Sequence, residues 1–227
     1  MLLFQTTMHS PASDITTLLP IWVRGWALAR GLPAPVATPE GAWRVDVGQP
    51  DQLVRYVIPD GKPELVTKLA RELHAPTTWL KVCAAPDTVS PLLQPHWQLS
   101  DLRHFMRADL AETPALPVPP GFTLSLTEAG PMTRALLRTG SGQQAANGNV
   151  IMLGSHAVFD QIGTEAAFRR QGLGRVVMQA LANRALARGA GEGLLVATEA
   201  GRQLYLGLDW HILSPYTSAF IPGMQTA

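Results

Sequence analysis

The sequence predicts an α/β fold, with helices packed against a mixed sheet of the α+β kind. Stretches in which apolar residues recur with helical spacing succeed stretches in which they alternate or run together as in strands. One such run, residues 194–197, is continuously apolar, which is typical of a strand buried on both faces. Four prolines within residues 112–121 interrupt both patterns and predict a division of the chain.

The proline-rich break separates a smaller N-terminal α/β domain, residues 1–113, from a C-terminal domain, residues 114–227. Prolines lack a backbone donor and favour extended conformations, so they suit a linker. The elements predicted before the break are a helix at 14–30, strands at 42–47 and 53–58, a helix at 63–74, a strand at 77–84, a short helix at 89–93, and one long or two short strands at 97–110.

The elements predicted after the break are a strand at 122–126, a helix at 131–138, a hairpin whose turn is Asn147-Gly148, a strand at 157–162, a helix at 172–188 closed by Gly189, a strand at 194–197, a short helix at 200–208 and a final strand at 211–221. Both domains place a short helix and a tryptophan, Trp97 or Trp210, before their last strand. The first domain is therefore either unrelated to the second or a degenerate copy of it.

Composition argues against several classes of partner. A formal net charge of +1 and 15% charged residues give no electrostatic reason to expect nucleic acid or an anionic membrane. The sequence has no run of about eighteen apolar residues and no basic leader region at its start, so we expect a cytoplasmic protein. The single cysteine, Cys83, cannot form an internal disulfide and lies in an apolar run, which predicts a buried thiol.

The sharpest motif lies between a predicted strand and a predicted helix. It consists of Arg169, Arg170, Gln171, Gly172, Leu173, Gly174 and Arg175. Glycines let the backbone approach a ligand closely, and the first N–H groups of a helix point outward at the positive end of its dipole. The segment therefore predicts a diphosphate site, to which the arginines add charge. The alternative is a glycine-rich turn with solvated arginines.

Two other phosphate-binding loops do not match this segment. A Walker A loop needs lysine and then serine or threonine after its last glycine, where this chain has Arg175 and Val176. The dinucleotide fingerprint needs a small residue at the position that Val177 occupies.

The spacing Arg169-x-x-Gly172-x-Gly174 resembles the acyl-CoA signature of the GNAT superfamily of N-acetyltransferases, and the resemblance covers roughly residues 121 to 221. It implies a GNAT fold in the C-terminal half and acetyl-CoA, or another acyl-CoA, as co-substrate. The implied cofactor-binding residues are Ile162, Gly163 and Thr164 for the pantetheine arm, residues 169–175 for the diphosphate, and Glu199, where the family frequently has asparagine. The sequence departs from the family pattern at Glu199, Asp209 and Ala166.

The resemblance also implies a general acid. Tyr205 occupies a helical position at which the family commonly directs a tyrosine hydroxyl toward the CoA sulfur; a purely packing role is the alternative. For the general base we predict Asp160, which shares a strand face with Ile162 and Thr164. A structural partner such as an arginine would equally explain this carboxylate, and Glu165 and Glu199 are competing bases.

These observations predict an acetyl-CoA-dependent N-acetyltransferase in which an amine attacks the thioester directly in a ternary complex, without a metal. The acceptor is expected to be a small-molecule amine, with a protein or peptide amine as the alternative. A non-catalytic acyl-CoA-binding sensor and a homodimer formed through the N-terminal half remain open. A group of tryptophans and arginines in that half suits either an acceptor pocket or core packing: Trp22, Trp26, Trp43, Arg24, Arg44 and Arg55.

Overall fold

The computed structural model describes residues 15–59 and 62–223. Its helices are α1 (Ile15–Ala29), α2 (Pro63–Glu72), α3 (Pro86–Val89), α4 (Leu173–Ala187) and α5 (Glu199–Leu206). Its strands are β1 (Val36–Ala37), β2 (Trp43–Gln49), β3 (Gln52–Ile58), β4 (Thr78–Val82), β5 (Gln98–Leu99), β6 (Arg103–Asp109), β7 (Phe122–Ala129), β8 (Met132–Thr139), β9 (Gln144–Leu153), β10 (His156–Thr164), β11 (Glu192–Thr198) and β12 (His211–Phe220). Short 3-10 helices occupy Ser90–Leu92 and Ala166–Phe168.

The strands form one sheet, in the order β1-β2-β3-β4-β12-β6-β11-β10-β9-β8-β7, and β5 pairs with β12 beside this path. β3 is parallel to β4, and β10 is parallel to β11. The other neighbours are antiparallel. The mixed sheet confirms the predicted fold class.

The two halves of the chain exchange their last strands. β6, from the N-terminal half, lies between β11 and β12, and β12, from the C-terminal half, lies between β4 and β6. Each half keeps one parallel pair of strands joined by a helix, α2 or α4, and the other half's last strand completes its side of the sheet. A duplicated chain would produce this symmetric order. Duplication and the division at residues 113 and 114 stay hypotheses.

Helices cover both faces of the sheet. Val158 and Leu194 pack in the core formed with α1, whereas the next residues, Phe159 and Leu195, pack in the core formed with α4. Successive side chains of a strand point to opposite faces, so α1 and α4 lie on opposite sides of β10 and β11. This explains the continuously apolar run at residues 194–197. No helix in the described ranges is both long and apolar enough to cross a membrane.

Most predicted elements correspond to observed ones. The predicted helix at 14–30 is α1, although Asp14 lies outside the described residues. Residues 97–110 form two strands, β5 and β6, rather than one. Helix α4 ends before Gly189, which has the positive φ of 92° expected of a glycine that closes a helix. Cys83 is buried, as predicted.

The helix predicted at residues 131–138 is wrong, because this segment is strand β8. Thr133, Ala135 and Leu137 are buried, and the residues between them are more exposed. The strand is hydrogen-bonded to β7 on one edge and to β9 on the other. Leucine, alanine and arginine favour helices locally, but pairing on both edges outweighs so weak a preference.

The turn predicted at Asn147-Gly148 is also wrong, since both residues lie inside strand β9. The observed turn comes earlier, where the N–H of Gly142 donates to Thr139 O over 2.9 Å. Gly148 lies against α4 and β10, and a Cβ built on it would lie 2.4 Å from Ile162 Cδ1. This glycine therefore serves close packing and not a turn.

We expect Gly148→Ala to lower the free energy of unfolding by about 1–3 kcal/mol, because the added methyl group overpacks the contact between β9 and α4. Urea denaturation measures this change. Gly140→Ala is the matched control, since a Cβ at that position has no heavy atom within 4 Å. Equal stability of the two variants would contradict the packing role of Gly148.

Candidate functional site

A bulge interrupts strand β10 at the centre of the site. The pairing of β10 with β9 shifts register between Asp160 and Gly163, and Gln161 there has a φ of 54°. Two side chains from β9 hold the bulge: Asn147 Nδ2 donates to Gln161 O over 2.8 Å, and Asn149 Nδ2 donates to Gln161 Oε1 over 2.7 Å. Sequence reasoning missed the bulge, although two asparagines on one face of an apolar strand were a signal for it.

Beyond Val158, strands β10 and β11 separate. Their parallel pairing joins only residues 156–158 to residues 192–194, while β11 stays paired with β6 as far as Thr198. The edge of β10 from the bulge to Thr164 therefore faces an open cleft. Backbone N–H and C=O groups on such an edge are available to a ligand.

The predicted diphosphate loop leads from this edge into helix α4. Gly172 precedes the helix with a φ of 76°, a conformation that side-chain-bearing residues rarely adopt. The N–H of Arg175 donates to Gly172 O over 3.0 Å, so the N–H groups of Leu173 and Gly174 precede the first hydrogen bond of the helix. Arg169 Nε donates to Thr164 O over 3.3 Å, which fastens the loop to the end of β10.

The edge of β10, the loop and helix α5 enclose a cavity of about 640 Å³, which we call the groove. Its lining residues are Ile162, Gly163, Thr164, Arg169, Arg170, Gly172, Leu173, Gly174, Arg175, Ala200, Gly201, Gln203, Leu204 and Tyr205. The structure thus brings together nine of the eleven predicted cofactor-binding residues with the predicted acid. Gln171 and Glu199 do not belong to this lining.

Glu199 lies at the start of α5 and engages other side chains. Its Oε2 is 2.6 Å from His104 Nε2, and its Oε1 accepts from Arg202 Nε over 2.9 Å. The hydrogen bond with His104, followed by that with Arg202, lowers the pKa of Glu199. Through its contact with His104, this carboxylate links helix α5 to strand β6.

Tyr205 projects from α5 at the inner end of the groove. It is 7% exposed, and burial, followed by the charge of Asp160, raises its pKa above the usual value. The phenol therefore stays protonated at neutral pH and can donate a hydrogen bond or a proton.

A second, smaller cavity of about 180 Å³, the throat, continues inward from Tyr205. Asp160 lies on its wall with a side chain 13% exposed, and it accepts from Arg30 Nε over 2.9 Å and from Arg30 Nη2 over 3.2 Å. The arginine partner that sequence reasoning allowed is therefore present, and it comes from the residue after α1. The role of Asp160 as a base stays a prediction.

A third cavity of about 270 Å³, the inner chamber, adjoins the throat. Its lining residues are Trp22, Trp26, Arg30, Asp51, Gln52, Arg55, Trp79, Lys81, Ser100, Arg103, Asp160, Val196 and Tyr216. Three residues of the predicted aromatic and basic group, Trp22, Trp26 and Arg55, therefore lie at a cavity. The others lie elsewhere. The guanidinium carbon of Arg24 is 5.3 Å from the centre of the Trp43 ring, and Arg44 Nη1 donates to Asp46 Oδ2 over 3.1 Å.

Lys81 is an unusual buried amine in the inner chamber. It is 6% exposed, and its Nζ donates to Ser218 Oγ over 2.9 Å. Burial, followed by repulsion from Arg55 and Arg103, lowers the pKa of Lys81 to about 6. In the unfolded chain the pKa of this amine is near its ordinary value of 10.5, so between pH 6 and pH 10.5 the unfolded state binds more protons. Lys81 therefore makes stability rise with pH over this range.

We expect Lys81→Met to raise the free energy of unfolding by roughly 1–4 kcal/mol, because it removes an amine whose charge is costly to bury. This gain in stability is largest below pH 6, the pKa of Lys81 in the folded protein, and shrinks as the pH rises toward 10.5. Urea denaturation at several pH values measures it. The control is Lys68→Met, which alters an exposed lysine paired with Glu40. A gain independent of pH would contradict the assigned pKa.

Neither a protein-family model nor a curated protein matches the chain. Among solved structures, a GCN5-related N-acetyltransferase from Kribbella flavida is 16% identical and superposes with a TM-score of 0.62, over 95% of this chain and 98% of that one. Another from Sphaerobacter thermophilus is 15% identical, with a TM-score of 0.59 over 95% of each chain. A GCN5-related N-acetyltransferase-like protein from Streptococcus suis is 12% identical, with a TM-score of 0.56 over 83% of this chain and 88% of that one. The likeness extends over both halves of the sequence, and the chain has the fold of the GCN5-related N-acetyltransferases.

Proposed function

We propose that the chain is an acyl-CoA-dependent N-acyltransferase that uses acetyl-CoA to acylate an amine. One observation carries the proposal: the edge of β10 that is unpaired with β11 leads, within a single groove, to the N-terminus of α4. A ligand that joins an extended arm to a diphosphate matches these two features: the arm suits the edge of β10, and the diphosphate suits the N-terminus of α4. CoA has this construction.

The groove fits the parts of CoA by their chemistry. The N–H groups at the start of α4 and the guanidinium groups of Arg169, Arg170 and Arg175 suit the diphosphate. The lining contains no carboxylate among the described residues, so nothing in it repels an anion. Backbone groups of residues 162–164 suit the amides of the pantetheine arm. A volume of about 640 Å³ lies within the usual range for small-molecule sites.

The proposed reaction joins the amine nitrogen to the acyl carbon and breaks the carbon–sulfur bond. The amine gives up a proton, and the departing thiolate takes one, so one acid and one base suffice. Tyr205 is the proposed acid that donates a proton to sulfur, and its presence in the lining of both the groove and the throat supports this role. Asp160 is the proposed base, on the wall of the throat from which the amine arrives. Positioning of the two substrates supplies much of the remaining acceleration.

We expect Gly172→Val to weaken CoA binding at least tenfold, because a β-branched residue cannot easily hold the φ of 76° that shapes the loop. Isothermal titration calorimetry measures the affinity. The matched control is Gly189→Val, which strains the other end of the same helix, where Gly189 has a φ of 92°. Equal loss of affinity in both variants would show that general destabilisation, and not the loop, is responsible.

We expect Tyr205→Phe to reduce turnover about 100-fold or more while CoA affinity is retained, because the variant lacks the proton donor. Release of free CoA thiol, assayed with a panel of amines, measures turnover. Tyr56→Phe is the control, since Tyr56 lies on β3 away from the three cavities. If the unaltered protein binds CoA but turns over no amine, the chain is a sensor and not an enzyme.

A further inference from the structure

We propose that the inner chamber binds an oxyanion, a carboxylate or a phosphate, carried by the amine that accepts the acyl group. The acceptor is then a small anionic amine, such as an amino acid or an amino-alkyl phosphate, and not a simple amine. The inference deepens the proposed function and rests on it.

The chamber has an excess of positive charge. Three arginines line it, Arg30, Arg55 and Arg103, against the two carboxylates of Asp51 and Asp160, and the buried amine of Lys81 adds a further hydrogen-bond donor. Of these arginines, only Arg30 is paired with a carboxylate of the described residues, that of Asp160. Cations gathered in a low-dielectric cavity repel one another, and an anion between them removes that repulsion.

Arg55 is the best-placed ligand for an oxyanion. The residue is 9% exposed, and its guanidinium carbon lies 3.8 Å from the centre of the Trp26 ring. Its Nη2 donates to Gln52 Oε1 over 2.8 Å, but its buried Nε has no hydrogen-bond partner among the described residues. Burial lowers the pKa of Arg55 to about 10, so it remains charged at neutral pH. The contact with the Trp26 ring restricts the movement of the guanidinium, which favours recognition of an oxyanion.

Two further buried groups on the chamber wall have hydrogen-bonding capacity to spare. The hydroxyl of Tyr216, a residue 1% exposed, and Nε2 of Gln52 both have no partner among the described residues. Buried polar groups are normally paired, so three unpaired groups on one wall call for an explanation. All three can donate, and the group that would satisfy them is an acceptor with several oxygen atoms.

The chamber lies where the acceptor must lie for the proposed reaction. Arg103 and Asp160 line both the chamber and the throat, and Tyr205 lines both the throat and the groove. An oxyanion held by Arg55 and Arg103 therefore leaves the other end of a small molecule directed through the throat toward Tyr205. A chamber of about 270 Å³ admits a small molecule and not a folded protein surface.

Turnover of matched amines tests the inference. The panel consists of α-amino acids, the amines obtained by removing their carboxyl groups, and amino-alkyl phosphates, each assayed by CoA thiol release. We expect kcat/KM to be at least tenfold higher for either the amino acids or the amino-alkyl phosphates than for the amines that lack an anionic group. The class with the higher kcat/KM identifies the oxyanion as a carboxylate or a phosphate. Equal kcat/KM for amines with and without the anion would overturn the inference and leave the proposed function intact.

Variants of the chamber assign the effect to its arginines. We expect Arg103→Gln and Arg55→Gln each to reduce kcat/KM for the anionic acceptor at least tenfold, chiefly through KM, with CoA affinity unchanged. Arg103 is exposed, so its variant remains informative if Arg55→Gln fails to fold. The matched control is Arg44→Gln, an arginine paired with Asp46 on β2. Unchanged KM in a folded Arg103→Gln and a folded Arg55→Gln would overturn the inference.

Binding without turnover separates the two proposals. Trp22 and Trp26 line the chamber, so tryptophan fluorescence reports its occupancy in protein saturated with CoA. A fluorescence change with an anionic amine, absent in Arg103→Gln, supports the chamber even if no amine is acylated. If CoA itself does not bind, the proposed function fails. The same fluorescence titration without CoA still tests the chamber. The absence of a response to any anionic amine would then reject the proposal that the chamber binds an oxyanion.

Discussion

The separation of β10 from β11 is the constraint on which the rest of the site depends. In a regular sheet these two parallel strands would pair along their whole length and bury the backbone groups that face the cleft. Here pairing ends at Val158, because β11 follows β6 on its other edge and the bulge at Gln161 redirects β10. The groove, the throat and the approach to Tyr205 all lie in the space that opens between the two strands.

The exchange of last strands gives the N-terminal half a direct part in the site. Since β12 lies between β4 and β6, Tyr216 from the C-terminal half stands on the same chamber wall as Lys81 from the N-terminal half. The ion pair between Arg30 and Asp160 likewise joins the two halves, at the throat. A truncated C-terminal half would retain the predicted diphosphate loop but would lack all four basic side chains of the chamber, Arg30, Arg55, Lys81 and Arg103.

The two regions of the site that carry basic side chains, the groove and the chamber, differ in their exposure to solvent. The arginines of the groove, Arg169, Arg170 and Arg175, are exposed to solvent. Arg55 and Lys81 of the chamber are buried, and desolvation lowers the pKa of both. Burying basic groups without anionic partners destabilises a fold, so the grouping of Arg55 and Lys81 at one cavity supports the proposed binding site.

The sequence by itself determined the loop, the fold class and most helices and strands. Glycines and arginines at 169–175, followed by an amphipathic helix, are local features whose meaning does not depend on distant residues. Local pattern failed at residues 131–138 and at Asn147-Gly148, where pairing across the sheet and packing beneath α4 override turn and helix preferences. Only the tertiary structure decided that Asn147 supports a bulge, that Asp160 meets Arg30 and that Arg55 joins Lys81 and Tyr216. Those contacts join residues far apart in the chain, and the exchange of strands that creates them leaves no periodic trace in the sequence.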